Sequence, residues 1–567
     1  MERPDNHASI DRAWRPNARA NVIATPPAID AKPARLAPIL IHLALLAPLL
    51  AVLAADVPPL VDYPNHLARL WLEGGGAAAA PVSAMYRIEW DTLTNIGIDL
   101  LAVVATPLFG YAIVGRLFVA AALLLPALGG ALLWRALHGR FHWWQFSFAL
   151  LAWNMGLVMG FLNFEIGLGV ALLAIAADPL LVRRGLVVAT IARAAFAGLL
   201  LLIHVFALVF YAALLVGLTL GFELRPLLRR GALIGKGKSF LMIGGTLALP
   251  AVAILLWSPS LPGRQTGASL LSIWSDFQAG FAQTLLAPVF KIRLAFVSVD
   301  AYVGWLDGLT LAAIALPIIF SAISGRLKAH AGMMLAMGGL FACYFIFPQY
   351  LAGTAWVDRR FALMAALVLV VAVRPDPPAQ SARTLAAFLL AVCFARTSVI
   401  GWIWHERQAD VAALARALAD VPAGAAILPL EHEASKNAAP MGRYTTLGEP
   451  TYRHLAALAL PWRRAFTPIL FAARGKQPVQ ILSPWNEIAE PDGGLPASVN
   501  ALTMRPVYDE AVKYASYLRF WRERFDYALV INADAADDNG PFVPPDNLEL
   551  LKDEGFAQLY RIVRPRS

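Results

Sequence analysis

The densest run of chemically capable side chains is Asp62-Tyr63-Pro64-Asn65-His66, directly after the first long apolar stretch, Leu36 to Ala55. A carboxylate, a phenol, an amide and an imidazole fall within five positions where a membrane helix is expected to emerge into water. Further polar residues are expected at that outer level: Asn95, Asp99, Asn163, Glu165, His204, Lys291, Arg293, Asp358, Arg359 and Arg360. A carboxylate at the bilayer centre costs about 2.5–3.5 kcal/mol on insertion scales, so acids near helix ends that face a bundle are candidates for chemistry. A carboxylate such as Asp62 or Glu165 can take a proton. The pair Arg359-Arg360 can hold a phosphate, with Lys291 and Arg293 a weaker version of the same signal.

Each residue also has a structural use. Asp62 can cap the helix that begins near Asn65, and Tyr63 and His66 can anchor at the membrane interface. Glu165 can complement a helix dipole, His204 can be a satisfied bundle histidine, and the arginines can be interfacial anchors.

These residues must be positioned by membrane helices. The chain of 567 residues is 59% hydrophobic and 15% charged, with mean hydropathy +0.60, too apolar for an ordinary soluble protein. The formal charge of +9 comes largely from short basic clusters between apolar runs, which reads as membrane topology and excludes a nucleic-acid partner. Both cysteines, Cys343 and Cys393, lie inside apolar spans, so there is no disulfide framework. No glycine-rich phosphate loop or metal-spaced Cys/His set occurs; no cofactor is expected, and a divalent metal is left open.

With about 20 residues needed per crossing, the pattern gives about eleven transmembrane helices, near 36–55, 112–136, 143–158, 161–181, 187–203, 206–221, 240–257, 303–323, 332–348, 361–373 and 384–403. Residues 1–35 form a basic, disordered cytoplasmic tail, and 56–111 form the first outer loop. Within that loop Asn95 to Phe109 is expected to lie along the interface. Only then do the clusters at Arg135 and Arg140, Arg183 and Arg184, Arg225 to Lys238, Arg326 and Lys328, and Arg374 all face the cytoplasm. The chain is thus a polytopic α-helical membrane protein of the inner (plasma) membrane, with its membrane domain at 36–404. Charges then spread evenly and apolar runs shorten, which predicts an extracytoplasmic α/β domain at 405–567. It should contain helices at Glu406–Ala419, Tyr508–Arg524 and Leu548–Gly555, and strands at Ala425–Leu430, Tyr527–Asn532 and Ala557–Val563. Periodicity is weak between 431 and 505.

The order of one span, an outer loop opening on an Asp, an interfacial helix ending in Leu108-Phe109-Gly110, and a second span ending in Leu133-Trp-Arg-Ala-Leu-His-Gly-Arg140 resembles the GT-C class of membrane glycosyltransferases. The protein mannosyltransferase and lipid A aminoarabinose transferase branches are most similar. Where those branches carry Asp-Glu, this chain has Asp62-Tyr63. Glu165 falls at the family's second outer acid, His204 where a basic residue follows the fifth span, and Arg359 or Arg360 where one opens a late span. The resemblance covers about the first 400 residues and implies transfer of a sugar from a polyprenyl-phosphate donor to an acceptor lipid, glycan or protein at the outer face. Asp62 and Glu165 would be catalytic, and Tyr63, His66, Asn95, Asp99, Asn163, His204, Lys291, Arg359 and Arg360 would bind substrate. The competing readings are a non-catalytic lipid-binding or transport protein, and a GT-C-shaped chain that has lost catalysis.

Overall fold

A computed structural model describes residues 36–91, 94–139, 141–221, 230–257, 274–275, 277–282, 288–351 and 354–564. The expected tail at 1–35 and the basic residues Arg140, Arg225 and Arg229 lie outside the described residues, as do the side chains of Arg230, Lys236 and Lys238. The chain is mostly helical. Among the described residues five helices are long and apolar enough to cross a membrane: Tyr111–His138, Leu162–Arg184, Leu186–Ile203, Gly304–Ile323, and Ala379–Glu406 with its continuation Gln408–Ala417. By length and composition this is a multi-pass membrane protein. Shorter apolar helices at Pro38–Leu53, Gly97–Phe109, Val205–Leu220, Leu241–Ile254 and Ala331–Ile346 accompany them.

Large apolar side chains point outward from these helices, including Leu53, Leu108, Val187 and Ile323, as expected of surfaces made for lipid rather than water. Gly97–Phe109 follows this rule. Ile98, Asp99, Ala102 and Thr106 are buried on one face, while Leu101, Val104 and Leu108 are exposed on the other. Its 13 residues reach about 20 Å, short of the roughly 30 Å hydrocarbon thickness. Gly110, at φ +81°, then breaks the path into the next helix.

Several expected elements differ. The run 143–158 is divided into Trp143–Gln145, Phe146–Leu151 and Met155–Val158. Asn154 interrupts it, its side chain accepting from the Leu157 amide at 3.0 Å to start the last turn. The expected first helix of the C-terminal domain, Glu406–Ala419, is observed as Gln408–Ala417, nearly continuous with the preceding span.

The C-terminal part carries a five-stranded mixed sheet in the order Leu548–Asp553, Ala557–Ile562, Tyr527–Ile531, Ile427–Glu431, Ala497–Ser498. Ile427–Glu431 runs parallel to both of its neighbours, and the other pairings are antiparallel. The helix expected at Leu548–Gly555 is instead a strand. Gly555, at φ +73°, turns the chain so that Leu548–Asp553 folds back on Ala557–Ile562 as a hairpin, and that pairing overrides the local helical pattern. The helix expected at Tyr508–Arg524 is three short pieces, Arg505–Ala511, Ser516–Phe520 and Trp521–Arg524.

The first outer loop and the C-terminal part are sewn together. Tyr86–Ile88 pairs antiparallel with Val479–Ile481. The Gln408 side chain accepts from the Asp56 and Val57 amides, and Asn65 accepts from the Phe471 amide at 3.0 Å. These contacts tie the weakly periodic stretch 431–505 to the loop 56–111, in addition to bonds within it such as Thr451 Oγ1 to Gly442 O and Tyr444 to Tyr452.

Candidate functional site

Asp62 stands at the head of Tyr63–Glu73, yet its side chain makes no capping bond to the first turn. The carboxylate is therefore free for other partners. Its backbone lies against the next short helix: the Val61 amide donates to Val158 O at 3.0 Å and the Asp62 amide to Met159 O at 3.1 Å. Gly160 makes that approach possible. Its φ is +85°, and a Cβ there would sit 2.9 Å from the Asp62 nitrogen.

Glu165 lies in the first turn of Leu162–Arg184, fully buried, with Asn154 Nδ2 at 3.4 Å from Oε2. A Cβ on Gly156 would be 2.4 Å from its Oε1. The two acids are thus fitted against two glycines of one segment, Gly156 to Gly160.

Arg360 joins them. It sits in the first turn of Val357–Ala372, its guanidinium 4.2 Å from the Phe161 ring centroid and 5.2 Å from that of Phe164. It is the cation that acts electrostatically on both Asp62 and Glu165. Its Nη1 is 3.4 Å from His204 Nε2. Because the Phe206 amide donates to His204 Nδ1 at 3.2 Å, the neutral ring carries its proton on Nε2. With that tautomer, Arg360 Nη1 and His204 Nε2–H are two donors side by side, an arrangement suited to an anion.

Arg359 stacks at 3.5 Å on Trp356, and its Nε and Nη1 are buried without partners. Trp356 itself is held at φ +62°, uncommon for a bulky residue and costing of order 1–3 kcal/mol. A narrow apolar cleft of about 20 Å³, lined by Met155, Phe161, Phe164, Leu294, Trp356 and Leu363, takes in both arginines.

The electrostatics of Asp62 follow from this setting. Burial pushes its carboxyl up to about 7, against the pull of Arg360, Arg453 and Arg69 and with a further push from Glu449. The side chain keeps 18% of its surface exposed, the open end of the cluster. Facing it at 3.6 Å is Nε2 of His454, which burial and the neighbouring Arg453 hold neutral by lowering it to about 3. His66 is also neutral, lowered to about 4 by burial and Arg69, and its Nε2 bonds the Gly160 carbonyl at 3.0 Å.

The structure brings Asp62, His66, Glu165, His204, Arg359 and Arg360 to one neighbourhood. It gives the other sequence candidates different partners. Tyr63 is fully buried, its hydroxyl against Gly115 of the Tyr111–His138 helix. Asn163 staples the chain at Asn95, accepting from the Ile98 amide at 2.9 Å and donating to Asn95 O at 3.0 Å. Asp99 pairs with Arg69. Lys291 is neutralised by Asp358 at 2.7 Å, so its charge is not free for a ligand.

His454, Arg453 and Glu449 are absent from the sequence candidates, because 431–505 lacked periodicity. A usable signal was present: Glu449-Pro-Thr-Tyr-Arg-His454 gathers acid, phenol, guanidinium and imidazole within six positions, close to the four groups in five positions at 62–66. Among the described residues no group of three His, Cys, Asp or Glu side chains is arranged to hold a metal ion. No family model, curated protein or solved structure matches the chain.

Proposed function

We propose that this protein is a membrane glycosyltransferase that moves a sugar from a polyprenyl-phosphate donor to an acceptor at the outer face of the inner membrane. The observation that carries the reading is Arg360: one buried guanidinium, beside an apolar cleft, acts on both Asp62 and Glu165. A polyprenyl phosphate joins an anion to a long apolar tail, which matches arginines set in an apolar cleft among outward-facing apolar helices. Arg359, Arg360 and the Nε2–H of His204 would hold the phosphate. Asp62 would take the acceptor's O–H or N–H proton as the acceptor bonds to the anomeric carbon. The bond from that carbon to the phosphate oxygen breaks with its electron pair on the phosphate. The transition state is oxocarbenium-like, and cations on the leaving phosphate stabilise the charge that develops there. Glu165 would orient the sugar or the acceptor.

In this reading about eleven helices cross, Gly97–Phe109 lies along the outer interface, the N-terminus is cytoplasmic, and the C-terminal domain is extracytoplasmic. The test uses the purified full chain in lipid nanodiscs with a panel of polyprenyl-phosphate hexoses, reading release of free polyprenyl phosphate. The wild type should release it from at least one donor, and Asp62→Asn should not, while retaining affinity for polyprenyl phosphate. Affinity lost together with Asp62, and no release from any donor, would point to a lipid-binding protein instead.

A further inference from the structure

His454 reaches the site from the C-terminal part of the chain, almost four hundred residues beyond Asp62 in sequence. It is buried, 3% exposed, with its ring edge-on to Phe471 at 4.9 Å. The segment is anchored to the Asp62 helix from two sides. The turn Leu455–Leu458 packs on Tyr63–Glu73, and the Phe471 amide donates to Asn65 Oδ1.

A neutral imidazole has one N–H, and here one ring nitrogen faces an acceptor. Nε2 is 3.6 Å from Asp62 Oδ1, whereas Nδ1 is buried without a partner. The proton therefore belongs on Nε2, pointing at the carboxylate. The separation is longer than a formed hydrogen bond, and a shift of about half an ångström in either side chain closes it without any substrate. The charged and titratable groups around the pair are Arg360, Arg453, Arg69 and Glu449 on the Asp62 side and Arg453 and His66 on the His454 side.

We infer that the C-terminal domain completes the active centre: His454 is a positioning residue whose Nε2–H holds one oxygen of Asp62, leaving the other free for the acceptor. The role in transfer rests on the glycosyltransferase reading; the hydrogen bond does not. During transfer the acceptor's proton goes to the free oxygen of Asp62, and His454 keeps its own proton throughout.

The test reads Asp62 directly. Dicyclohexylcarbodiimide modifies protonated carboxyl groups, so the pH dependence of its addition to Asp62, followed by peptide mass spectrometry on the full chain in nanodiscs, reports the protonation of that side chain. A hydrogen bond to the charged form favours that form. His454→Leu, which fills the space but cannot donate, should raise the labelling midpoint by about one pH unit, tenfold in the protonation ratio. His454→Gln, whose amide can donate, should return it most of the way. An unchanged midpoint in His454→Leu overturns the inference, and so does a Gln variant displaced as far as the Leu variant. With a donor that turns over, His454→Leu should lower kcat about tenfold with donor KM unchanged, and Gln should restore it. If no donor turns over, the transferase reading fails while the labelling midpoints still decide the Asp62–His454 bond.

Discussion

Arg69 and Asp99 meet as a buried ion pair that ties the helix opened by Asp62 to the short apolar helix Gly97–Phe109. Glu73 lies 3.9 Å from the same guanidinium, and burial together with the Asp99 charge holds it well above the usual carboxylate range, so one acid of the cluster stays protonated. Arg69→Met leaves Asp99 as an uncompensated buried charge and should cost about 3–5 kcal/mol. The double variant Arg69→Met/Asp99→Leu removes both charges and should recover much of that loss. Thermal unfolding of the purified chain in detergent checks both. A single variant as stable as the wild type would show that the pair does not hold the two helices together.

The topology of that short helix gives a second expectation. If Gly97–Phe109 lies along the outer surface, the ends of the helices at Leu137 and Ile234 face the cytoplasm, where basic clusters are favoured. Cysteines placed at 137 and 234, in a chain lacking Cys343 and Cys393, should resist a membrane-impermeant maleimide applied to intact cells. A reporter enzyme fused after the C-terminus should be active outside. Outside labelling of both positions would mean that the short helix crosses.

The long spans were legible because burial in lipid leaves long apolar runs, and Tyr111–His138 and Leu162–Arg184 are read from composition alone. Asp62 and Glu165 were legible for the same reason, as acids stranded at helix ends. The strand Leu548–Asp553 was not, since its alternative as a helix is equally compatible with its local pattern, and a hairpin turn at Gly555 decided it. His454 was invisible for a different reason. Its partners, Asp62 and the Asn65–Phe471 contact, lie far away in sequence, so no local period marks the segment. The Asn95–Asn163 staple and the Lys291–Asp358 pair show the converse: polar residues at the expected level that are consumed by each other.

Glu431, at the end of the strand Ile427–Glu431, makes stability depend on pH. Burial, opposed by Arg453 and reinforced by Glu433 and Asp537, pushes it from 4.5 to about 8. Between those values the folded state keeps a proton that the unfolded chain releases. This contribution is therefore fully present below about 4.5 and lost as pH rises through about 8. Glu431→Gln removes the dependence. Its melting temperature should exceed the wild type's at pH above 8 and approach it in acid, as followed by thermal scans across that range. Identical pH profiles for the two proteins would mean that Glu431 is ionised in the fold.

The same kind of shift at Asp62 acts on rate rather than on stability. A general base must be ionised, and burial holds this carboxyl near 7, with Arg360 the strongest opposing charge. Transfer should therefore rise with pH through about 7 and level off above it, and polyprenyl-phosphate release measured between pH 5 and 9 should trace that limb. Arg360→Gln removes the cation that most favours the ionised form, so any residual activity should show its limb at higher pH. It should also bind polyprenyl phosphate more weakly, since a lost charged hydrogen bond costs about 1.5–3 kcal/mol. Arg359→Gln should weaken binding with a smaller effect on the limb, because Asp62 is not among the charges that Arg359 faces most closely. Asp62→Asn should lower transfer by about 10² to 10⁴ at every pH, the usual range for removing a general base. A flat profile in the wild type, or an Asp62→Asn protein that still transfers at the wild-type rate, would take the base away from Asp62.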